Sequence, residues 1–125
     1  MSKTLRPFHL AIPVTNLEDC RTFYREVLGC NEGRSSNHWV DFDFFGHQLV
    51  IHHKENVSTE ISNPVDGKDV PIPHFGVVLD MSSFSELSEK LILRPLQTCF
   101  FFFICYCTSF RSTFLPRVCL SYIDT

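Results

Sequence analysis

The chain lacks several features that would each fix a function class. It has no Lys/Arg run of the kind that grips nucleic acid. It has no CxxC pair, and no apolar stretch near the roughly 20 residues a bilayer-spanning helix needs. Its formal net charge of −3 gives no electrostatic reason to seek nucleic acid or an anionic membrane as partner. The start, Met1-Ser2-Lys3-Thr4-Leu5-Arg6-Pro7, carries no long apolar segment of secretory type, so a cytoplasmic protein is expected. Six cysteines do not make a disulfide framework: Cys20 and Cys30 lie in the regular part, and Cys99, Cys105, Cys107 and Cys119 crowd the last quarter. Cys105-Tyr106-Cys107 is a metal-type spacing without a second half, so unpaired thiols are expected.

What is present amounts to one ordinary globular domain. The chain has 125 residues, 44% hydrophobic and 20% charged. One pattern occurs twice. Phe8-His9-Leu10-Ala11-Ile12-Pro13-Val14 is a short apolar strand with His as its second residue, and Pro73-His74-Phe75-Gly76-Val77-Val78-Leu79 repeats the design. A polar helix start follows each.

After the first strand, Asn16 with Asp19 three residues on predicts a helix N-cap. Leu17, Cys20, Phe23, Tyr24, Val27 and Leu28 recur at helical spacing, and Gly29 ends the helix. A short strand is expected near Cys30–Arg34. Trp39–Phe44 alternates as a half-exposed strand, Phe45-Gly46 is a turn, and His47–His52 is the return strand. The first 53 residues thus read β-α-β-β-β. Residues 54–71 read as a polar linker or flap, with Asn63-Pro64 and Asp66-Gly67 as turn signals. The second copy then offers a strand over 73–79 and a helix from Ser82 to Leu93, with Ser83-Phe84-Ser85-Glu86 as a capping box.

From Arg94 the character changes. Residues 94–125 hold four charged side chains and six of the thirteen phenylalanines, with neither period 2 nor period 3.6. Phe, Cys, Ile, Leu and Ser are served by pyrimidine-rich codons, so a read-through intron end or a frameshift would encode such a string. The run Thr98–Cys107 is expected to continue nothing, leaving the second copy incomplete.

His9 and His74, the β-α-β-β-β module around the first, Phe23-Tyr24-Arg25-Glu26-Val27-Leu28-Gly29, the Trp39–Leu49 hairpin and Val70–Asp80 together resemble the vicinal oxygen chelate superfamily. That group includes glyoxalase I, bleomycin-resistance proteins and extradiol dioxygenases. The resemblance covers roughly residues 7–93: a first module over about 7–53, a linker over 54–71, and the start of a second module over 72–93. It implies an α+β fold of paired βαβββ modules forming a cupped sheet, the second incomplete here.

The resemblance also implies a divalent metal, Fe(II) or Mn(II) before Zn(II) or Ni(II), held by His9 and His74. A third ligand, usually Glu in a Gly-Asn-x-Leu-Glu pattern, has no counterpart in this sequence. Val50 occupies the matching place in the first module, and after Glu89 the only carboxylate is Asp124. Two imidazoles and a carboxylate would leave open positions for vicinal substrate oxygens. Without the carboxylate, affinity for a hard ion falls.

Taken alone, His9 reads as a hydrogen-bonded strand histidine; its match at His74 favours a ligand position. His52 and His53 point to opposite faces, so one of them at most joins His9. His47, His52 and Phe75 are the candidate substrate contacts, with strand-end or core packing as the simpler reading of each. Asp41 and Asp43 share a face, read as solvated. No catalytic residue is assigned. The expected function is metal-dependent chemistry of dioxygenase or glyoxalase-lyase type on a vicinal-oxygen small molecule, impaired by the missing ligand. The alternatives are a non-catalytic binding module of bleomycin-resistance type and a truncated, non-functional product. A homodimer could supply the missing strands.

Overall fold

The alternation over Trp39–Phe44 and the Phe45-Gly46 turn set the register of the first sheet. The computed structural model describes residues 4–57, 61–65, 68–72, 75–93, 103–107, 114–115 and 118–122. The chain divides into two units, Met1–Val57 and Ser58–Thr125.

The first unit contains β1 (His9–Val14), α1 (Leu17–Thr22) running into a π-helical turn (Phe23–Val27), β2 (Asn31–Ser35), β3 (Trp39–Phe44) and β4 (His47–His53). The strand order is β1-β4-β3-β2. β1 is parallel to β4, with His9 opposite Gln48 and Ile12 opposite Ile51. β3 and β4 form a hairpin with Phe44 opposite His47. Phe45 and Gly46 both have positive φ, 51° and 87°, as the tight primed hairpin turn requires. The Gly46 N–H donates to Asp43 Oδ1 at 2.8 Å.

The helix starts as the sequence predicts. Asn16 Oδ1 accepts from the Asp19 N–H at 3.1 Å and Asn16 Nδ2 donates to Asp19 Oδ2 at 2.8 Å. It then departs from regular α geometry. The Leu28 N–H reaches Phe23 O at 3.1 Å, the wider step of a π-turn. That widening accompanies the burial of Phe23, Tyr24, Val27 and Leu28 together with Cys20. Gly29, at φ +70°, turns the chain so that the Cys30 N–H reaches Tyr24 O at 2.9 Å.

The helix covers one face of the sheet: Ile12, Val14, Val40, Phe42, Phe44, Leu49 and Ile51 are all buried. Tyr24 packs on Phe42 and Phe44, with ring centroids 5.3 and 6.3 Å apart. Burial raises the Tyr24 phenol pKa well above its usual value. An ion pair ties helix to sheet: Arg21 Nε donates to Glu32 Oε2 at 2.9 Å, and the second guanidinium nitrogen bonds the other carboxylate oxygen. Cys20 is disulfide-bonded, which departs from the expectation of unpaired thiols; Cys30 is free and buried.

The second unit differs from expectation in three ways. The linker holds a two-stranded hairpin, β5 (Ser62–Val65) with β6 (Lys68–Pro71), flanking the Asp66-Gly67 pair. α2 (Met81–Leu93) is capped by Asp80 rather than by Ser83: Asp80 Oδ1 accepts from the Ser83 N–H at 2.8 Å. That bond, with the Ser82 hydroxyl, lowers the Asp80 pKa below the usual carboxylate range. The tail contributes strands where none was expected. β7 (Phe75–Leu79) pairs in parallel with β8 (Phe103–Cys107), β8 pairs in parallel with β10 (Val118–Tyr122), and β10 pairs antiparallel with β9 (Phe114–Leu115).

This second order, β7-β8-β10-β9, is not that of the first sheet. There the first strand pairs in parallel with the last of a βαβββ run, and every other pairing is antiparallel. The second unit therefore does not repeat the strand pairing of the first. Among the described residues no helix is long and apolar enough to cross a membrane.

Candidate functional site

Strand parity divides the first sheet into a helix-covered face and a second face. In β1 the second face carries His9, Ala11 and Pro13; in β4 it carries Gln48, Val50 and His52; in β3 it carries Trp39, Asp41 and Asp43. The hairpin turn fixes the β3 and β4 sets, and the parallel register places His9 beside Gln48.

These side chains form a connected polar row. His9 Nδ1 and Gln48 Oε1 are 2.8 Å apart. Gln48 Nε2 donates to Asp41 Oδ2 at 3.5 Å, and Arg34 Nε approaches the same oxygen at 3.4 Å. The Arg34 guanidinium lies 5.8 Å from the centre of the Trp39 ring. Asp41 is 8% exposed, so the reading of this carboxylate as solvated does not hold. Its side chain is covered although neighbours on the same face are exposed, and its charge is paired with Arg34. Asp43 is exposed and serves the hairpin turn. Gly33 of β2 lies against Asp41: a Cβ built there would sit 3.4 Å from the Asp41 Cβ.

The sequence-selected histidines separate. His9 is exposed and His52 half-buried, and both lie on the second face. His47 lies on the helix-covered side: its Nδ1 accepts from the Phe8 N–H at 3.0 Å, and its ring stacks on Phe8 with centroids 4.1 Å apart. His53 also has the helix-side parity and is exposed. Phe75 is half-buried at the start of β7 in the second unit. His74 lies outside the described residues. Gln48 and Asp41 were missed as site residues by sequence reasoning, although the spacing of 48, 50 and 52 around the Phe45-Gly46 turn was enough to put them on one face.

A resident divalent ion can be tested against this chemistry. The Gln48 amide oxygen 2.8 Å from His9 Nδ1 can only accept, so a neutral His9 bonded to it would carry its proton on Nδ1 and keep a lone pair on Nε2, the form in which imidazole binds metal. His9 therefore fits as one ligand. Among the described residues, no group of three or more His, Cys, Asp and Glu is placed to hold a metal ion.

One shallow pocket, about 190 Å³, lies elsewhere in the unit and is lined by Leu28, Gly29, Cys30, Asn31, Asp43 and Phe45. Burial and then the Asp43 charge push the Cys30 thiol up to about 11. This suits a structural thiol rather than a nucleophile.

No protein-family model matches the chain, and no curated protein matches it. Solved structures do. A glyoxalase/bleomycin resistance protein/dioxygenase from Alicyclobacillus acidocaldarius is 25% identical, with a TM-score of 0.61 over 98% of this chain and 92% of that one. A mutant of the fosfomycin resistance protein FosX from Listeria monocytogenes, complexed with Mn(II) and 1S,2S-dihydroxypropylphosphonic acid, is 15% identical, with a TM-score of 0.56 over 99% of this chain and 93% of that one. Lactoylglutathione lyase from Agrobacterium tumefaciens is 14% identical, with a TM-score of 0.55 over 96% and 93%. The last two likenesses show the fold alone.

Proposed function

The chain has the fold of the glyoxalase/bleomycin resistance/dioxygenase proteins, the vicinal oxygen chelate superfamily, and from that premise we propose that it is a metal-site protein of this group with an impaired centre. His9 and His74 are the proposed ligands, one from the first strand of each βαβββ copy. The third ligand, a carboxylate, is missing from the sequence pattern. The observation that carries this reading is the His9–Gln48 contact, which leaves Nε2 of His9 as the lone-pair nitrogen. The Mn(II) complex of FosX supports a divalent ion in general. Fe(II) or Mn(II) remains the first choice, with Zn(II) or Ni(II) next.

A divalent ion held there would supply Lewis acidity and a template for two vicinal oxygens of a small molecule. The chain's own residues do the rest. Gln48 holds the His9 ring. His52 and Trp39, on the same face, are the proposed substrate contacts from the first unit, and Phe75 is the proposed contact from the second. His47, engaged by the Phe8 N–H, fits a strand-end role better than substrate contact. With two imidazoles and no anionic ligand, the donor set leaves the ion's charge uncompensated. Affinity for a hard ion and turnover both fall as a result. A second copy of the chain is the proposed source of a completing carboxylate.

A non-catalytic binding module is the second reading. It is favoured by the sequence, which has no Gly-Asn-x-Leu-Glu pattern to supply the third ligand. Elemental analysis after loading with Mn(II) separates the two. About one ion per chain, lost in His9→Ala, supports the metal-site reading; a metal-free chain that still binds planar ligands in chelator supports the second.

A further inference from the structure

We propose that Gln48 is a positioning residue that fixes the tautomer of His9, and that Asp41 in turn fixes Gln48. An Asp41 carboxylate paired with Arg34 accepts hydrogen bonds and has no proton to give. The amide group that faces it at 3.5 Å must therefore be the Gln48 NH₂. This orientation turns the amide oxygen toward His9, 2.8 Å from Nδ1. Only a protonated Nδ1 can satisfy that oxygen, so the lone pair is confined to Nε2. Reversing the amide would set its oxygen against the carboxylate, which is repulsive, and would present two donors to the ring.

The three residues sit where the backbone holds them firmly. His9 is the register partner of Gln48 across the parallel pair, and Asp41 lies two residues along β3 from Asp43, the direct cross-strand partner of Gln48, and so on the same face. Asp41 is buried and Val50, its cross-strand partner, is 5% exposed, so water competes little at that end of the row. The proposal rests on the reading of His9 as a metal ligand for its functional meaning. The tautomer itself stands without any metal.

The test is nitrogen NMR of the imidazole of His9, assigned through His9→Ala, in the metal-free full chain at mildly alkaline pH. The wild type is expected to show a protonated Nδ1 and an unprotonated Nε2. Gln48→Leu is expected to show a tautomer mixture with an unchanged thermal midpoint. In a parallel Mn(II) titration, Gln48→Leu is expected to bind about tenfold more weakly than the wild type, the scale typical of an outer ligand contact. A wild-type mixture, a protonated Nε2, or a pattern unmoved by Gln48→Leu would overturn the proposal. A wild type that binds no Mn(II) but shows the expected tautomer would instead reject the ligand reading and leave the Asp41–Gln48–His9 relay standing.

Discussion

Arg21 and Glu32 clamp the helix of the first unit to the edge strand of its sheet. Nε of the guanidinium meets one carboxylate oxygen at 2.9 Å, and the neighbouring nitrogen meets the other. Both side chains are mostly covered, at 26% and 18% exposure. A two-pronged pair of this kind holds its geometry better than an exposed single contact.

The hydrogen bond from Arg21 pulls the Glu32 carboxyl below its usual range. The unfolded carboxyl titrates near about 4.3. A depressed folded value means that the pair stabilises the fold fully above that point and loses its contribution as pH falls through the folded value. Glu32→Gln is expected to cost on the order of 1 kcal/mol at neutral pH. The gap between variant and wild type should close in acid. Urea unfolding at a series of pH values checks this, and a gap independent of pH would contradict it.

Ile51 is 0% exposed at the centre of the helix-covered face. Truncation to alanine removes buried methyl groups and leaves a cavity beside its register partners Ile12 and Val40, both buried. The expected loss is roughly 2–5 kcal/mol. By comparison, Gln48→Leu on the other face should leave stability nearly unchanged. Thermal unfolding of the two variants side by side tells the faces apart.

Cys30, with its thiol pushed up to about 11, is expected to resist alkylation in the folded chain at neutral pH and to react readily in denaturant. Peptide mapping after iodoacetamide treatment reads this directly. Rapid labelling of Cys30 without denaturant would mean that this end of the first unit opens.

We propose that the tail from Arg94, rich in Phe, Cys, Ile, Leu and Ser, is translated pyrimidine-rich sequence. A differently joined transcript of the same gene is expected, one whose product continues after Leu93 with a Gly-Asn-x-Leu-Glu pattern. Sequencing of transcripts decides this; if every transcript encodes the Phe-rich tail, the tail is this protein's own.

The first module was largely legible from the sequence. Asn16 and Asp19 announced the helix start, Gly29 its end, and Phe45-Gly46 the hairpin that puts Phe42 and Leu49 on the buried face. Each of those signals is local, so a single sequence carries it. What escaped was non-local or conditional. The π-turn at Phe23–Val27 goes with the simultaneous burial of two adjacent aromatics, which periodicity alone does not report. Asp80 took the cap from Ser83 because its carboxylate lay within reach of the Ser83 N–H. The pairing of β7 with β8 lies between segments of unrelated composition and had no pattern to announce it. At the site, His9 was legible through its echo at His74. The hairpin turn alone put Gln48 and Asp41 on one face; that His9 lies beside Gln48 became visible only with the parallel register of β1 and β4.

We propose His9 as a metal ligand in a centre reduced to two imidazoles. Elemental analysis of the full-length chain, loaded anaerobically with Mn(II) or Fe(II) and passed through a desalting column, tests it most directly, alongside His9→Ala and His74→Ala. The account predicts up to one ion per chain in the wild type, readily removed by chelator, and none in either variant. Metal retained equally by wild type and both variants, or absent from all three at saturating Mn(II), would contradict it.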